Sequence, residues 1–154
     1  TRDVGSLDLG YRRSNLGSDQ VVISATLGLE RGAPEAGTAL LGEIVAWRRA
    51  NQPGGPNAGS VFTNPAHDSA GRLIDDAGGK GLRVGTAQVS EKHANFIQAD
   101  PDGSADDVLA LMVELVALVE AEHGVRLHAE TRLVGFDAGQ IERIQHRDPR
   151  AERD

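Results

Sequence analysis

Residues 104–124 read SADDVLALMVELVALVEAEHG, which is the clearest helical pattern in the chain. Apolar residues recur there at the i, i+3, i+4 and i+7 spacing that gathers them on one helix face. They are Val108, Leu111, Met112, Leu115 and Val119. Ser104 and Asp107 match a capping box, and Gly124 is a typical residue after a helix end. The pattern predicts an amphipathic helix over Ala105–His123.

Two further helices are predicted upstream of this one. Pro34 is typical of a first helical position, and helical spacing runs to about Asn51, before Pro53. The apolar residues of that helix are Leu40, Leu41, Ile44, Val45 and Trp47. A short helix is expected over Ala70–Ala77 with Leu73 and Ile74 inward. The glycines of Gly78-Gly-Lys-Gly81 are expected to form a turn that ends this helix. They do not have the spacing of a phosphate-binding loop.

Strands are predicted where apolar residues alternate or β-branched residues cluster. The predicted strands are residues 20–29, a shorter run through Leu7, Leu9 and Tyr11, residues 83–89, residues 95–99 and residues 125–136. In the last of these, Leu127 and Leu133 share one face, and Glu130 lies on the opposite, polar face. Strands and helices mix without regular alternation, so the predicted fold class is α+β.

Composition narrows the classes of function. The chain has 154 residues, no cysteine, and 16 Lys and Arg against 23 Asp and Glu, for a net charge of -7. This charge disfavours nucleic acid and anionic membranes as partners. The lack of cysteine suits a reducing compartment, so a cytoplasmic protein is expected. No apolar run is long enough to span a bilayer. Since the first residue is Thr rather than Met, we expect a fragment of a longer protein.

The most informative loop is Ala58-Gly-Ser-Val-Phe-Thr-Asn-Pro65. Small residues allow a ligand to approach the backbone closely, and Ser60 and Asn64 then supply a hydroxyl and an amide. The alternative is a loop whose Ser and Asn only satisfy neighbouring backbone groups. Ser60 lacks the Gly-x-Ser-x-Gly pattern of a hydrolase nucleophile.

Two other polar stretches are candidates for ligand binding. Gly10-Tyr-Arg-Arg-Ser14 carries adjacent arginines, which can grip a carboxylate or simply be solvated. Val89–Ile97 contains Ser90, Lys92, His93 and Asn95, which can bind a sugar or diphosphate or form a polar loop. The five histidines have no metal-ligand spacing, so no metal site is predicted.

Taken in order, these motifs resemble the UDP-N-acetylenolpyruvoylglucosamine reductase family over about residues 7–136. The matching stretches are Tyr11–Ser14, Gln52–Pro53 with Ala58–Pro65, Ala70–Ile74, Ala77–Gly81, Val89–Ile97, Asp106–Val108, Gly124–Val125 and Arg132–Gly135. Two parts of such enzymes hold FAD, and a C-terminal α+β domain closes over the UDP-sugar. The resemblance implies that residues 1–30 are the last strands of the FAD-binding domain, residues 31–136 the substrate-binding domain and residues 137–154 a charged tail.

The resemblance also implies a reaction and its residues. UDP-N-acetylglucosamine enolpyruvate would be reduced to UDP-N-acetylmuramate for peptidoglycan synthesis, with hydride passing from NADPH through FAD. Ser60 would be the proton donor, and Arg12 and Glu130 would stabilise the enolate-like intermediate. Asn64, His93 and Lys92 would contact substrate. The family's flavin-binding loops have no counterpart here, so the fragment alone is expected to be inactive, and the protein is expected to be a monomer.

One departure from the family pattern concerns the glutamate. The usual Leu-Glu-x-Glu-Val reads Leu127-His-Ala-Glu-Thr131 here. Three other classes remain open: a UDP-sugar-binding module without catalysis, a degenerate structural domain and a related flavin-dependent oxidoreductase. A binding module has no use for Arg12, Ser60 and Glu130 together, and a degenerate domain is expected to lose one of them.

Overall fold

Two compact units, Thr1–Gly37 and Thr38–Asp154, follow one another along the chain in the computed structural model. The structure describes residues 1–10, 14–17 and 19–144. The first unit begins with a 3-10 helix, Val4–Leu7, whose N-terminus is capped by the Asp3 side chain. The prediction of a strand through Leu7 is therefore wrong, and Tyr11 lies outside the described residues.

The predicted strand over residues 20–29 is also wrong. Residues 20–33 form neither helix nor strand, and Ile23 is 95% exposed. A β-branched sequence is stabilised as a strand only when a second strand pairs with it and one face is covered. No described residue pairs with this segment in a sheet. The closing strands expected of a flavin-binding region are therefore not seen among the described residues.

Helix α1, Pro34–Asn51, confirms the prediction from Pro34 and the helical spacing. None of its residues is buried, and its apolar side chains are exposed. Helix α2, Ala70–Asp76, is capped by Ser69 and buries Leu73 and Ile74 as predicted.

A three-stranded antiparallel sheet follows α2, in the order β1-β2-β3. The strands are β1 Arg83–Val84, β2 Ala87–Val89 and β3 Ile97–Ala99. The single strand predicted over residues 83–89 is thus two strands of a hairpin, because the chain turns at Gly85, whose φ is +52°. The strand predicted over residues 95–99 is confirmed from Ile97 onward.

Helix α3, Ala105–His123, is confirmed with its predicted bounds and packs against α2, β1 and β2. Leu111, Met112, Leu115 and Val119 are buried, and Gly124 adopts the left-handed conformation of a C-terminal cap. The buried side chains of α3 join Ala87, Val89 and Ile74 in the core of the second unit.

The capping box predicted at the start of α3 is confirmed for Ser104 and wrong for Asp107. The Ser104 hydroxyl accepts from the Asp106 N–H as a cap should. The Asp107 carboxylate instead accepts from the Thr86 N–H at 2.8 Å and the Thr86 hydroxyl at 2.7 Å. These bonds lower the pKa of Asp107, with the main-chain bond as the larger cause. Asp107 therefore ties the hairpin turn to α3.

The strand predicted over residues 125–136 is reduced to one isolated antiparallel bridge, Phe62 with Ala129. The predicted alternation is retained in burial, because Leu127 is 1% exposed while Glu130 is exposed. Helix α4, Ala138–Glu142, follows, and Ile144 after it is buried against the core. No described helix is long and apolar enough to cross a membrane.

Candidate functional site

The candidate site is built around residues 61–63, which we call the central segment. On one side, the central segment is hydrogen-bonded to the chain that follows α3. The Thr63 N–H donates to the His128 carbonyl at 2.9 Å, and the Glu130 N–H donates to the Val61 carbonyl at 2.8 Å. Val61 is 3% exposed, so these bonds form largely away from water.

On its other side, the central segment is bound by Asn95. The Val61 N–H donates to the Asn95 carbonyl at 2.9 Å. The Asn95 side chain then binds Phe62 twice: Oδ1 accepts from the Phe62 N–H, and Nδ2 donates to the Phe62 carbonyl, both at 2.9 Å. Asn95 is 3% exposed and Phe62 is 1% exposed. The central segment is thus fixed by buried packing and by hydrogen bonds on both sides.

Ser60 immediately precedes the central segment. The chain enters it through Gly59, whose φ of +77° favours glycine and whose N–H donates to Asn57 Oδ1 at 2.9 Å. Ser60 is half-buried. Its hydroxyl makes no hydrogen bond to any residue in the described part of the chain. A hydroxyl held in this way is available to a ligand as donor or acceptor.

Glu130 reaches the same place from a distant part of the sequence. The Glu130 main-chain N–H donates to the carbonyl of Val61, the residue next to Ser60. Glu130 as a whole is exposed. Two of the three predicted catalytic residues therefore adjoin Val61. The third, Arg12, lies outside the described residues.

His93 is attached to the site through Asn95. The Asn95 N–H donates to His93 Nδ1 at 3.2 Å, and the imidazole contacts the Phe96 ring edge to face at 4.9 Å. Burial lowers the pKa of His93, with the charge of Lys80 adding to the effect. Because Nδ1 is an acceptor, the neutral ring carries its proton on Nε2, which can donate to a ligand.

The other two predicted substrate contacts have structural partners in the protein. Asn64 Oδ1 accepts from the Ala70 N–H at 3.0 Å, at the start of α2. The Lys92 ammonium donates to the Arg49 carbonyl at 2.6 Å, in the last turn of α1. The side-chain oxygen of Asn64 therefore satisfies a neighbouring backbone N–H, as in the alternative reading of this loop. Lys92 is directed to the end of α1.

Two cavities lie elsewhere in the second unit. One, of about 260 Å³, has Gln88, Gln98 and Lys92 among its lining residues. The other, of about 550 Å³, lies between α3 and α4. Neither includes Ser60 or Glu130. Among residues 1–10, 14–17 and 19–144, no group of His, Asp or Glu side chains could hold a metal ion.

The residue whose importance the sequence did not reveal is Asn95. The sequence places it in a polar cluster, but its position between Ala94 and Phe96, both buried, is the informative signal. A polar residue within an apolar run is buried only when its hydrogen bonds are satisfied. Phe62, the hydrogen-bond partner of Asn95, is distant in sequence, so no local sequence pattern could have predicted this contact.

The second unit is similar to a domain of known proteins. Residues 50–134 match the family model described as UDP-N-acetylenolpyruvoylglucosamine reductase, C-terminal domain. A reductase of this name from Symbiobacterium thermophilum is 46% identical over 135 residues, which are 86% of this chain and 44% of that protein. One from Heliobacterium modesticaldum is 44% identical over 139 residues, 88% of this chain and 44% of that protein.

A solved structure gives the same relationship. The crystal structure of UDP-N-acetylenolpyruvylglucosamine reductase from Thermus caldophilus matches with a TM-score of 0.70 and 39% identity. The match covers 83% of this chain and 46% of that chain. The chain thus spans less than half the length of these relatives. From the matched domain and these identities, we conclude that the chain belongs to the UDP-N-acetylenolpyruvoylglucosamine reductase family.

Proposed function

We propose that this chain is the substrate-binding part of an enzyme that reduces UDP-N-acetylglucosamine enolpyruvate to UDP-N-acetylmuramate in peptidoglycan precursor synthesis. In this proposal NADPH would be the reductant, and FAD, when bound, would supply the hydride chemistry. Membership of the family supports the reaction. The observation that carries the assignment of residues is that Ser60 and Glu130, far apart in sequence, both adjoin Val61.

Reduction of an enolpyruvyl double bond adds a hydride to one carbon and a proton to its neighbour. When the hydride arrives, negative charge moves onto the substrate carboxylate and gives an enolate-like intermediate. Donors and positive groups aimed at that charge lower the barrier. Arg12 supplies the positive charge in this proposal. Glu130 contributes with Arg12 to stabilising the intermediate in this proposal.

Ser60 gives the proton to the neighbouring carbon, and solvent later restores the hydroxyl. A serine hydroxyl is a very weak acid, so this step needs a fixed donor and exclusion of bulk water. The half-buried position of Ser60 next to the buried Val61 supports the first of these requirements. The neutral His93 donates its Nε2–H to a polar group of the substrate, and the Asn64 amide NH₂ does the same.

No helix of the described residues presents an uncapped, acid-free first turn to a diphosphate. A diphosphate is commonly bound at a helix N-terminus with free backbone N–H groups. The N-termini of α2, α3 and α4 are capped by Ser69, Ser104 and Asp137. The first turns of α1 and α3 carry acidic residues that repel phosphate. We propose that FAD is held by a part of the enzyme other than these residues.

The test uses a protein of full family length that contains this chain, in single-turnover mixing. With S60A, flavin reduction by NADPH is expected to remain unchanged. Reoxidation by the substrate is expected to slow by roughly 100-fold or more, the usual contribution of a general acid. S69A, which removes a hydroxyl at the start of α2, is the matched control and should leave both steps intact. Equal rates of reoxidation for S60A and the unmutated protein would refute the proton-donor role.

A further inference from the structure

We propose that Asn95 is a positioning residue that sets the place of Ser60 for proton transfer. The inference rests on the proposed function, because it assigns Asn95 a part in the same step. The Asn95 side chain is hydrogen-bonded to Phe62 of the central segment and makes no hydrogen bond to Ser60 or Glu130.

The geometry of Asn95 leaves one orientation of its amide. Oδ1 faces the Phe62 N–H and Nδ2 faces the Phe62 carbonyl. An exchange of oxygen and nitrogen would set two donors against each other and two acceptors against each other. The main-chain carbonyl of Asn95 adds a third bond, from the Val61 N–H. At 3% exposure, water does not compete for these groups.

The Asn95 side chain makes the hydrogen bonds to Phe62 that a paired strand would otherwise make. Strand β3 begins only at Ile97, so regular sheet hydrogen bonds are not available to the central segment at Asn95. A primary amide presents one acceptor and a donor, as a peptide group does, and thereby pairs with both backbone groups of Phe62. This fixes the peptide plane that follows Val61.

Ser60 depends on that arrangement. Neither its main-chain N–H nor its hydroxyl is bound to another described residue. Its preceding residue is Gly59, which restricts the backbone least of all residue types. The position of the hydroxyl is therefore set from the C-terminal side, through Val61 and Phe62. Loss of the Asn95 amide frees Phe62 on that side.

The same residue also orients His93. Its main-chain N–H binds His93 Nδ1, while its side chain binds Phe62. Gly71 lies against the imidazole so closely that an added Cβ would be 2.9 Å from His93 Cε1. Because the contact to His93 comes from the Asn95 main chain, a substitution of the Asn95 side chain retains it.

The decisive variant is N95L, which keeps the approximate shape of the side chain and removes both amide hydrogen bonds. It is placed in a protein of full family length containing this chain, and single-turnover mixing follows the two half-reactions separately. Flavin reoxidation by the substrate is expected to slow by about 10- to 100-fold, as for other misplacements of a reacting group. Flavin reduction by NADPH and the Kd for the UDP-sugar are expected to change by less than about twofold.

The matched control is T86V, which also keeps shape while removing a hydroxyl that joins two elements. Thr86 donates to Asp107 and accepts from the Ser104 N–H, in the hairpin turn beside α3. If N95L and T86V slow reoxidation equally at similar loss of stability, the role of Asn95 is merely structural and the proposal is overturned. Reoxidation of N95L at the unmutated rate would overturn it as well.

S60A in the same experiment separates the two proposals. If S60A has no effect, the proposed role of Ser60 fails whatever N95L does. If S60A slows reoxidation and N95L does not, only the positioning role of Asn95 fails. Reoxidation slowed by both, with T86V unaffected, supports both.

A second variant and a second readout cover the case in which N95L does not fold. In N95D, the introduced carboxyl can donate to the Phe62 carbonyl only when protonated, so reoxidation relative to the unmutated protein should recover as pH falls. An unaltered pH profile would overturn the proposal. Independently of turnover, amide hydrogen exchange at Phe62 in N95A should be faster than in the unmutated protein at the same pH, because the Phe62 N–H has lost its side-chain acceptor. An unchanged exchange rate there would also contradict the proposal.

Discussion

Val61 is the residue at which distant parts of the chain meet. Its N–H is bound to Asn95 and its carbonyl to Glu130, and both contacts lie beside Ser60. The sequence motif predicted the residue types on either side of it. It could not predict which backbone groups they would bind, because each of these hydrogen bonds joins residues that are far apart along the chain.

At this scale the state of His93 can be measured directly. Burial holds its pKa below the ordinary value of 6.5, so the folded protein binds fewer protons here than the unfolded chain does. The stability that the neutral ring contributes is therefore complete above pH 6.5. It is lost as pH falls toward the lower pKa of the folded state. NMR titration of the His93 Cε1–H should give a midpoint below that of histidine in an unstructured peptide. A midpoint at or above the peptide value would contradict the burial argument.

Among the elements, the helices α1, α2 and α3 are confirmed, whereas the predicted strands are confirmed only in part, within residues 83–99. Helix α3 was predicted with its bounds because its caps and apolar stripe are all local in sequence. The segments at 20–29 and 125–136 carry equally good strand patterns. One lacks a partner among the described residues and the other pairs at a single bridge. Strand formation depends on a partner that the pattern does not contain.

Asp107 shows the same limit for one side chain. Its spacing from Ser104 predicted a local bond at the start of α3, yet its carboxylate binds Thr86 of the hairpin. The candidate site follows this rule too. The loop motif identified Ser60 and Asn64 by type, but the buried partner Asn95 emerged only from the fold.

The carboxylate of Asp68, just before α2, is expected to make the stability of the protein sensitive to acid. Asp68 is bound first by the Arg72 side chain and second by the Ser69 N–H, which together lower its pKa from 3.8 to about 2. Its contribution to stability is therefore present above pH 3.8 and is lost as pH falls through about 2. D68N should remove this part of the acid sensitivity in urea unfolding followed by circular dichroism. D102N, a matched change in the turn before α3, should retain it, and identical acid profiles for D68N and the unmutated chain would contradict the assignment.

In the molecule as a whole, the buried core belongs to the second unit. Leu115 is fully buried there, whereas Val21 and Ile23 in the first unit are 85% and 95% exposed. L115A should lower the free energy of unfolding by about 2–5 kcal/mol. V21T and I23T should each change it by less than about 0.5 kcal/mol, as surface substitutions do. Urea denaturation measures both, and a comparable loss from I23T would mean that residues 20–29 are packed in solution.

We propose that substrate lies against Ser60 and Glu130, the two residues that adjoin Val61. Hydrogen–deuterium exchange tests it most directly, in a protein of full family length containing this chain, with and without UDP-N-acetylglucosamine enolpyruvate. The substrate is expected to protect residues 59–64, 93–96 and 128–131. Protection confined to the cavity between α3 and α4, or protection that spares all three of those stretches, would contradict the claim.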